Sequence, residues 1–444
     1  MILLKNFGNI FKIPELTKKL MFTLGVLIVY RIGVQIPAVG INVSLLKEYM
    51  DRAKAFSGLL GYFDTFSGGA LSYATIFALG ISPYITASIM MQMLTFVVPW
   101  LEQKAKEGEY GRKEINQYTR YLAGALSIVY SFSYASYLEH INAAQIPGLI
   151  SSPGWGFRLL FTLSLTVGAL FTMWLGEQIS LFGVGNGSSM IIFAGIVARF
   201  PSIILSIVQS VRDGNVSIVS ALLFLALFIV MAGCIVFLEK GDRKIPVQYA
   251  RRIIGQRVYG GQSTYIPFKV NTAGIMPVIF ASSLLGIPVF FISMLFESGT
   301  WGKTFANAMQ YGGVLYNTLE FVLIIFFTYF YTSIAFQPTE LADNMKKSGG
   351  FIPGIRPGKQ TADFFDHILN RLGLVGAVYL GILAVAPNII SVILGMPHVL
   401  SGTSLLIMVG VALETSSQIE SYLIEHKYEG FLTTGTMKST RVIR

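Results

Sequence analysis

The chain contains little charge, one cysteine and four histidines. Charged residues make up 13% of its 444 residues and hydrophobic residues 53%, which is too apolar for a soluble domain. The lone Cys234 allows neither a disulfide framework nor a thiolate metal site, and the histidines are scattered along the sequence. No paired carboxylates and no nucleophile beside a base occur at motif spacing. The sequence therefore predicts no enzyme, no metal site and no cofactor.

A nucleotide-binding loop is also missing from the sequence. Gly302-Lys303-Thr304 matches the end of a P-loop, but Glu297 occupies the position of the first glycine. Any mechanical work performed through this chain would therefore need an energy source outside it.

Long apolar runs dominate what is present. There are ten such runs, and most are close in length to the roughly 20 residues that a helix needs to cross a bilayer. They predict an all-α polytopic membrane protein. The run 72–99 is longer and contains Gly80 and Pro83, which predicts a tilt or a kink. The predicted spans lie near 20–41, 72–99, 118–138, 157–178, 188–208, 216–238, 272–296, 314–336, 372–394 and 403–424.

Lysine and arginine are concentrated in alternate connections between these spans. With a cytosolic N-terminus, 25 of the 33 cations fall in the predicted inside segments, seven in the outside loops, and Arg31 within the first span. This asymmetry satisfies the positive-inside rule, and it predicts that both termini are cytosolic. No cleavable signal peptide is visible before the first span.

Ten spans divide evenly into two halves, residues 1–209 and 210–423, followed by a tail at 424–444. Five spans per half is an odd number, so the halves would face opposite ways, as in the inverted repeats of many transport proteins. This division rests on the number of spans.

Two connections on the predicted cytosolic side are long and basic. Residues 239–271 hold seven cations against two acids, and within 337–371 the stretch Asn344–Ala362 holds four cations and no acid. Glycine or proline fills six of the nineteen positions of that stretch, which predicts tight turns instead of a helix, with Arg356 projecting outward. Anionic lipid headgroups would attract such cations. Docking of RNA or of an acidic protein explains better why these loops are long and rich in turn residues, because lipid binding needs no defined loop structure. Both interpretations stay open at this point.

The segment Ser57–Gly69 is apolar but too short to span, and glycine interrupts it four times. Bare backbone cannot face lipid, so such a segment either lies at the membrane interface or re-enters a protein cavity. Composition favours the interfacial loop, and Gly68-Gly69 provides a hinge into the second span.

Five long segments resemble hallmark motifs of the SecY/Sec61-alpha family of protein-conducting channels, and they occur in the family's order across the whole chain. They are FSGGALSYATIFALGISPYI (66–85), MWLGEQISLFGVGNG (173–187), KIPVQYARR (244–252), YGGQSTYIPFKVN (259–271) and KKSGGFIPGIRPG (346–358). The resemblance implies two five-span halves around an hourglass pore, with a lateral gate toward lipid between the second and seventh spans.

The resemblance further implies a ring of apolar side chains at the waist of that pore. The family positions fall on Ile81, Ile85, Ser188, Ile192, Ile279 and Ile407. Serine departs from the apolar residue that is usual at position 188, and the neighbouring Met276 is an alternative occupant of that place.

The short segment near 57–69 corresponds to the family's plug, which reverses the preference drawn from composition. Its implied plug residues are Leu59, Leu60, Tyr62, Phe63, Asp64 and Phe66. The basic loops correspond to the surface that docks the SecA ATPase and the ribosome through its RNA. Their implied docking residues are Arg243, Lys244, Arg251, Arg252, Arg257, Lys346, Lys347, Arg356 and Lys359.

The family also implies the partner subunits SecE and SecG, signal-bearing polypeptides as substrates, contact with membrane lipids, and a bacterial inner membrane, with a thylakoid membrane as the lesser alternative. The competing function class is a secondary transporter for a small solute, which would place ionisable residues within several spans. Few candidates exist, and most of them lie near predicted span ends: Arg31, Glu177, Glu320, Glu414 and Glu420.

Overall fold

The computed structural model describes residues 13–52, 64, 67–144, 146–249, 252–254, 257–259, 263–295, 313–395 and 401–435. Helices account for most of these residues. The helices before the first strand are α1 (Pro14–Gly33), α2 (Val43–Arg52), α3 (Ser82–Val97), α4 (Pro99–Lys106), α5 (Glu109–Ala144), α6 (Trp155–Phe182), α7 (Gly187–Arg212) and α8 (Ile218–Lys240).

Strands and five further helices follow. The strands are β1 (Asp242–Tyr249), β2 (Arg252–Ile254), β3 (Arg257–Tyr259), β4 (Ser263–Lys269) and β5 (Gly350–Phe351). The helices are α9 (Met276–Leu295), α10 (Val314–Ala335), α11 (Pro338–Lys347), α12 (Lys359–Ile393) and α13 (Gly402–Gly435).

Nine of the ten predicted spans overlap one helix of at least 20 residues, and the second overlaps the 16-residue α3 and the start of α4. Among the described residues, five helices are long and apolar enough to cross a membrane by length and composition, or six when α3 and α4 are counted as one bent span. The other four predicted spans overlap α1, α5, α9 and α13. Several of these helices extend beyond the apolar run into polar sequence, as α5 does from Glu109.

The second predicted span differs from the expectation of one kinked helix. Residues 67–81 form successive turns, and helix begins only at Ser82, with Pro83 in its first turn. Positive φ angles at Ala74 (44°) and Gly80 (54°) interrupt any helix before that point. At the other end, α3 and α4 meet at an angle of 99°. Pro99 favours extended backbone at Val98, which has φ −96° and ψ 112°.

The chain folds into two compact units that do not coincide with the predicted halves. The first unit comprises Met1–Phe200 together with Val411–Arg444, and the second comprises Pro201–Gly410. The boundaries therefore cut through α7 and α13. The division into the repeats 1–209 and 210–423 stays a prediction.

Candidate functional site

The two basic connections of the second unit are joined in one β-sheet. Strand β4 pairs antiparallel with β1 along seven residue pairs, from Asp242 opposite Lys269 to Gln248 opposite Ser263. Strand β5 pairs with the other edge of β1, where Gln248 lies opposite Phe351. The strand order is β4-β1-β5. The sequence predicted two separate loops; the structure makes them a single platform, named here the cationic sheet.

A hydrophobic core lies beneath the cationic sheet. Ile245 and Val247 of β1 and Phe268 of β4 are buried, whereas Lys244 and Pro246 are exposed, which is the alternation expected of a half-buried strand. These buried side chains pack in one cluster with Ala342 and Met345 of α11 and with Ala362, Phe365, Ile368 and Leu369 of α12. The sheet is therefore a fixed part of the second unit.

The predicted docking cations are exposed to solvent as far as the structure describes them. Exposed side chains are those of Arg243, Lys244, Lys346, Lys347, Arg356 and Lys359. Exposed Lys269 joins them from β4, although the predicted set omitted it. Arg251 lies outside the described residues, and Arg252 and Arg257 are described through their backbone in the paired strands β2 and β3.

The expectation of turns throughout Asn344–Ala362 was wrong at both ends of that stretch. Lys346 and Lys347 form the last turn of α11, and Lys359 begins α12. Helix α11 starts with Pro338, which favours a helix start, and it ends where Gly349 takes a positive φ of 71°. Turns remain between Ile352 and Gly358, and exposed Arg356 lies there as expected.

Asn271 fastens the base of the hairpin formed by β1 and β4. Its amide nitrogen donates to Oε1 of Glu239 at the end of α8 (2.5 Å) and to the carbonyl of Gly274 just before α9 (3.0 Å). The two ends of the hairpin are also joined by a bond from the Val270 amide to the Gly241 carbonyl (2.9 Å). The hairpin is thus tied to the helices that enter and leave it.

The predicted ring residues are distributed over both units. Ile81, Ile85 and Ile192 lie in the first unit, and Ile279 and Ile407 lie in the second; all five are at most 9% exposed. Within the first unit, Cδ1 of Ile81 lies against Gly176 of α6, because a methyl group added to that glycine would sit 3.0 Å away. Their meeting at one pore stays a prediction.

Ser188 has a structural role at the start of α7. Its hydroxyl donates to Oδ1 of Asn186 (2.6 Å), and the same oxygen accepts from the backbone amide of Ser188 (3.1 Å). The amide side chain of Asn186 therefore caps the helix, and the serine reinforces the cap. Both Ser188 and Met276 are half-buried, so the occupant of the sixth ring place stays open.

Of the predicted plug residues, the structure describes only Asp64; Leu59, Leu60, Tyr62, Phe63 and Phe66 lie outside the described residues. The carboxylate of Asp64 is buried and accepts hydrogen bonds from the backbone amide of Ser72 (2.8 Å) and from its hydroxyl (2.6 Å). Arg199 of α7 forms an ion pair with the same carboxylate (3.3 Å). No sequence motif marked Arg199, because the contact joins distant parts of the chain.

Comparison with known proteins identifies the family. The SecY family model matches residues 75–416. The chain is 43% identical over 426 residues to the protein translocase subunit SecY of Aquifex aeolicus, covering 95% of this chain and 98% of that one. It is 44% identical over 427 residues to the subunit of Escherichia coli K12, covering 96% and 95%. The chain belongs to the SecY family.

Solved structures of this family share the fold at low sequence identity. A protein-conducting channel aligns with a TM-score of 0.62 at 18% identity, covering 91% of this chain and 92% of that one. Sec61 from a canine ribosome–channel complex aligns with a TM-score of 0.60 at 17% identity, with the same coverage. This SecY-family chain is therefore an α-helical membrane protein of the ten-helix class. Membership makes it a protein-translocation channel subunit and excludes the small-solute transporter.

The structure explains two positions of the family motif MWLGEQISLFGVGNG (173–187). Glu177 of the MWLGEQI segment accepts a hydrogen bond from Nε of Arg120 on α5 (2.7 Å), so it forms an ion pair between α5 and α6. A methyl group on Gly187 would lie 1.8 Å from the carbonyl oxygen of Gly176, so the two backbones meet where no side chain fits. These two contacts hold α5, α6 and α7 together.

Proposed function

We propose that this chain is the central subunit through which unfolded secretory polypeptides cross a bacterial inner membrane, with both of its termini in the cytosol. Similarity along nearly the full length of translocase subunits is the observation that carries the proposal. Signal and transmembrane segments would leave sideways into lipid through a gate between the second and seventh spans, whose helices are α3 and α9.

The waist of the channel is proposed to be formed by Ile81, Ile85, Ile192, Ile279 and Ile407, with Ser188 or Met276 in the sixth place. A narrow apolar constriction excludes water and ions by dewetting. Isoleucine also offers no hydrogen bond to a passing chain, so a polypeptide of any sequence can slide through. Both properties suit a pore that must stay sealed without selecting its substrate.

Opening requires a free-energy source in the substrate itself. A leucine or isoleucine at the bilayer centre gains roughly 0.3 to 0.6 kcal/mol, so a signal core of about ten residues supplies several kcal/mol. That is enough to shift an equilibrium between closed and open states separated by a few kcal/mol. It provides no sustained directional force for the polar chain that follows.

Directional force would come from a partner on the cationic sheet. Exposed Arg243 and Lys244 of β1 and exposed Arg356 of the turn after β5 belong to a region with a packed core, as a surface for an acidic protein or for RNA requires. We assign this surface to the SecA ATPase and to the ribosome, with SecE and SecG as membrane subunits. Solved relatives described as a ribosome–channel complex and as a complex bound to the yeast ribosome support the second assignment.

Reconstitution tests the proposal. The chain with SecE and SecG in proteoliposomes should protect a signal-bearing precursor from external protease when SecA and ATP are present. A precursor without its signal should remain digestible in the same vesicles. Equal digestion of both precursors, with the complex intact and oriented correctly, would contradict the proposed function.

A further inference from the structure

A short link joins the cationic sheet to α9. Strand β4 ends at Lys269 and α9 begins at Met276, and residues 272–275 between them form bends and turns instead of helix or strand. Gly274 takes a positive φ of 63° in this link, and nothing lies within 4 Å of a methyl group added to it. Glycine backbone with open space around it bends easily, so the link by itself would let α9 move independently of the sheet.

The side chain of Asn271 closes this link. Its amide nitrogen donates across the link to the Gly274 carbonyl (3.0 Å), and it also donates to Oε1 of Glu239 at the end of α8 (2.5 Å). The residue is 3% exposed, and its other polar atom, Oδ1, is buried without a hydrogen-bond partner in the described part of the chain. An unpaired buried acceptor costs free energy, so the orientation of the amide is decided by the two oxygens that its nitrogen joins.

Packing holds the base of the hairpin firmly on the sheet side of the link. A methyl group on Gly376 of α12 would lie 2.8 Å from the carbonyl oxygen of Val270, so the two backbones are in close contact. The Val270 amide donates to the Gly241 carbonyl (2.9 Å), which closes the hairpin. Phe268 of β4 lies in the buried cluster shared with α11 and α12. A load applied to the cationic sheet therefore reaches Asn271 through packed structure.

We propose that Asn271 is a positioning residue that couples the cationic sheet to α9, so that a partner docked on the sheet moves the gate helix. This inference rests on the proposed function, which gives the sheet its docking role and α9 its place at the gate. The bond to Glu239 holds Asn271 in place, and the bond to the Gly274 carbonyl fixes the start of α9 against it. Without the amide, a partner still docks on the sheet, but the start of α9 is no longer held to the hairpin by this contact.

The separation of the two gate helices, measured by double electron–electron resonance, reports the coupling. Spin labels are attached at Met90→Cys on α3 and Leu284→Cys on α9, both exposed positions, and Cys234→Ser removes the native thiol. The complex with SecE and SecG in lipid nanodiscs is measured with and without SecA and a non-hydrolysable ATP analogue. SecA should lengthen the separation in the parent protein. Asn271→Ala should reduce the lengthened population by about fivefold or more, the lower end of the usual coupling between two sites.

Matched variants separate the coupling from a general loss of structure. Asn271→Asp keeps the size of the side chain, but an ionised carboxylate cannot donate to either oxygen, so it should behave like Asn271→Ala. Glu239→Gln keeps an acceptor for Asn271 and should retain most of the coupling. Asn215→Ala removes an exposed asparagine in the turn before α8 and should leave the SecA-induced change intact. Thermal unfolding of each purified complex checks that the variant is folded.

SecA affinity, measured separately, should be the same for Asn271→Ala as for the parent protein. A large loss of affinity would mean that Asn271 holds the docking surface itself, and it would overturn the coupling role. An unchanged SecA-induced separation in Asn271→Ala would also overturn that role, while the gate and the docking surface would stand. If SecA binds the parent protein without altering the separation, the gate assigned in the proposed function fails, and the coupling fails with it.

Discussion

At the scale of single residues, the close contact between two glycines explains part of the family's signature. A methyl group on Gly187 would lie 1.8 Å from the backbone oxygen of Gly176, and no side-chain rotation relieves that overlap. We expect Gly187→Ala to destabilise the protein by about 1 to 3 kcal/mol, the usual cost of overpacking. Gly156→Ala, with nothing within 4 Å of the added methyl, is the control and should be neutral or slightly stabilising. Thermal unfolding in detergent measures both, and equal behaviour of the two variants would contradict the packing argument.

Substitution of Ile407 tests whether this single residue helps to keep the channel closed. Its side chain is 0% exposed, so asparagine there would bury an amide without an assured partner. We expect Ile407→Asn to destabilise the closed state relative to the open one and to let precursors with defective signals pass. Ile407→Leu keeps the apolar volume and should preserve signal stringency. Translocation of matched precursors with intact and defective signals measures the effect. Unchanged stringency in Ile407→Asn would remove Ile407 from the ring.

At the scale of elements, the cationic sheet predicts how docking depends on charge. Arg356→Glu reverses a charge in the exposed turn between β5 and α12, outside the buried cluster under the sheet. SecA affinity should therefore fall by several-fold, more at low salt than at high salt, while thermal stability stays unchanged. Lys47→Glu makes the same charge change on α2, on the predicted outer side, and should leave the affinity as it is. If both variants bind SecA with equal affinity, Arg356 is not part of the docking surface.

Elements also show what could and could not be predicted from the sequence. Long apolar runs located the membrane helices, because burial in lipid is decided by composition over about 20 residues. The strongly apolar residues Ile245 and Val247 alternate with less apolar ones, a pattern that indicates a strand. The pairing of β1 with β5 could not be predicted in this way, because it depends on contacts between segments distant in sequence. The stretch Asn344–Ala362 by itself did not show that Lys346 and Lys347 end a helix, because that helix, α11, starts further upstream at Pro338. The partnership of Asp64 with Arg199 has no local signal at all, because only folding brings those residues together.

At the scale of the whole molecule, the chain divides into two compact units, and the predicted ring draws residues from both of them. The full-length similarity shows the family and its fold.

A photo-crosslinking amino acid at Ile81 tests whether polypeptide passes through the predicted waist. The complex with SecE and SecG would be exposed in the membrane to a secretory precursor arrested during transport. A crosslink should form between position 81 and the precursor, and it should require an intact signal. The same probe at Leu163, which is exposed on α6, should give none from the translocating segment. No crosslink from position 81, in a folded complex that still transports the precursor, would contradict the assignment of the waist.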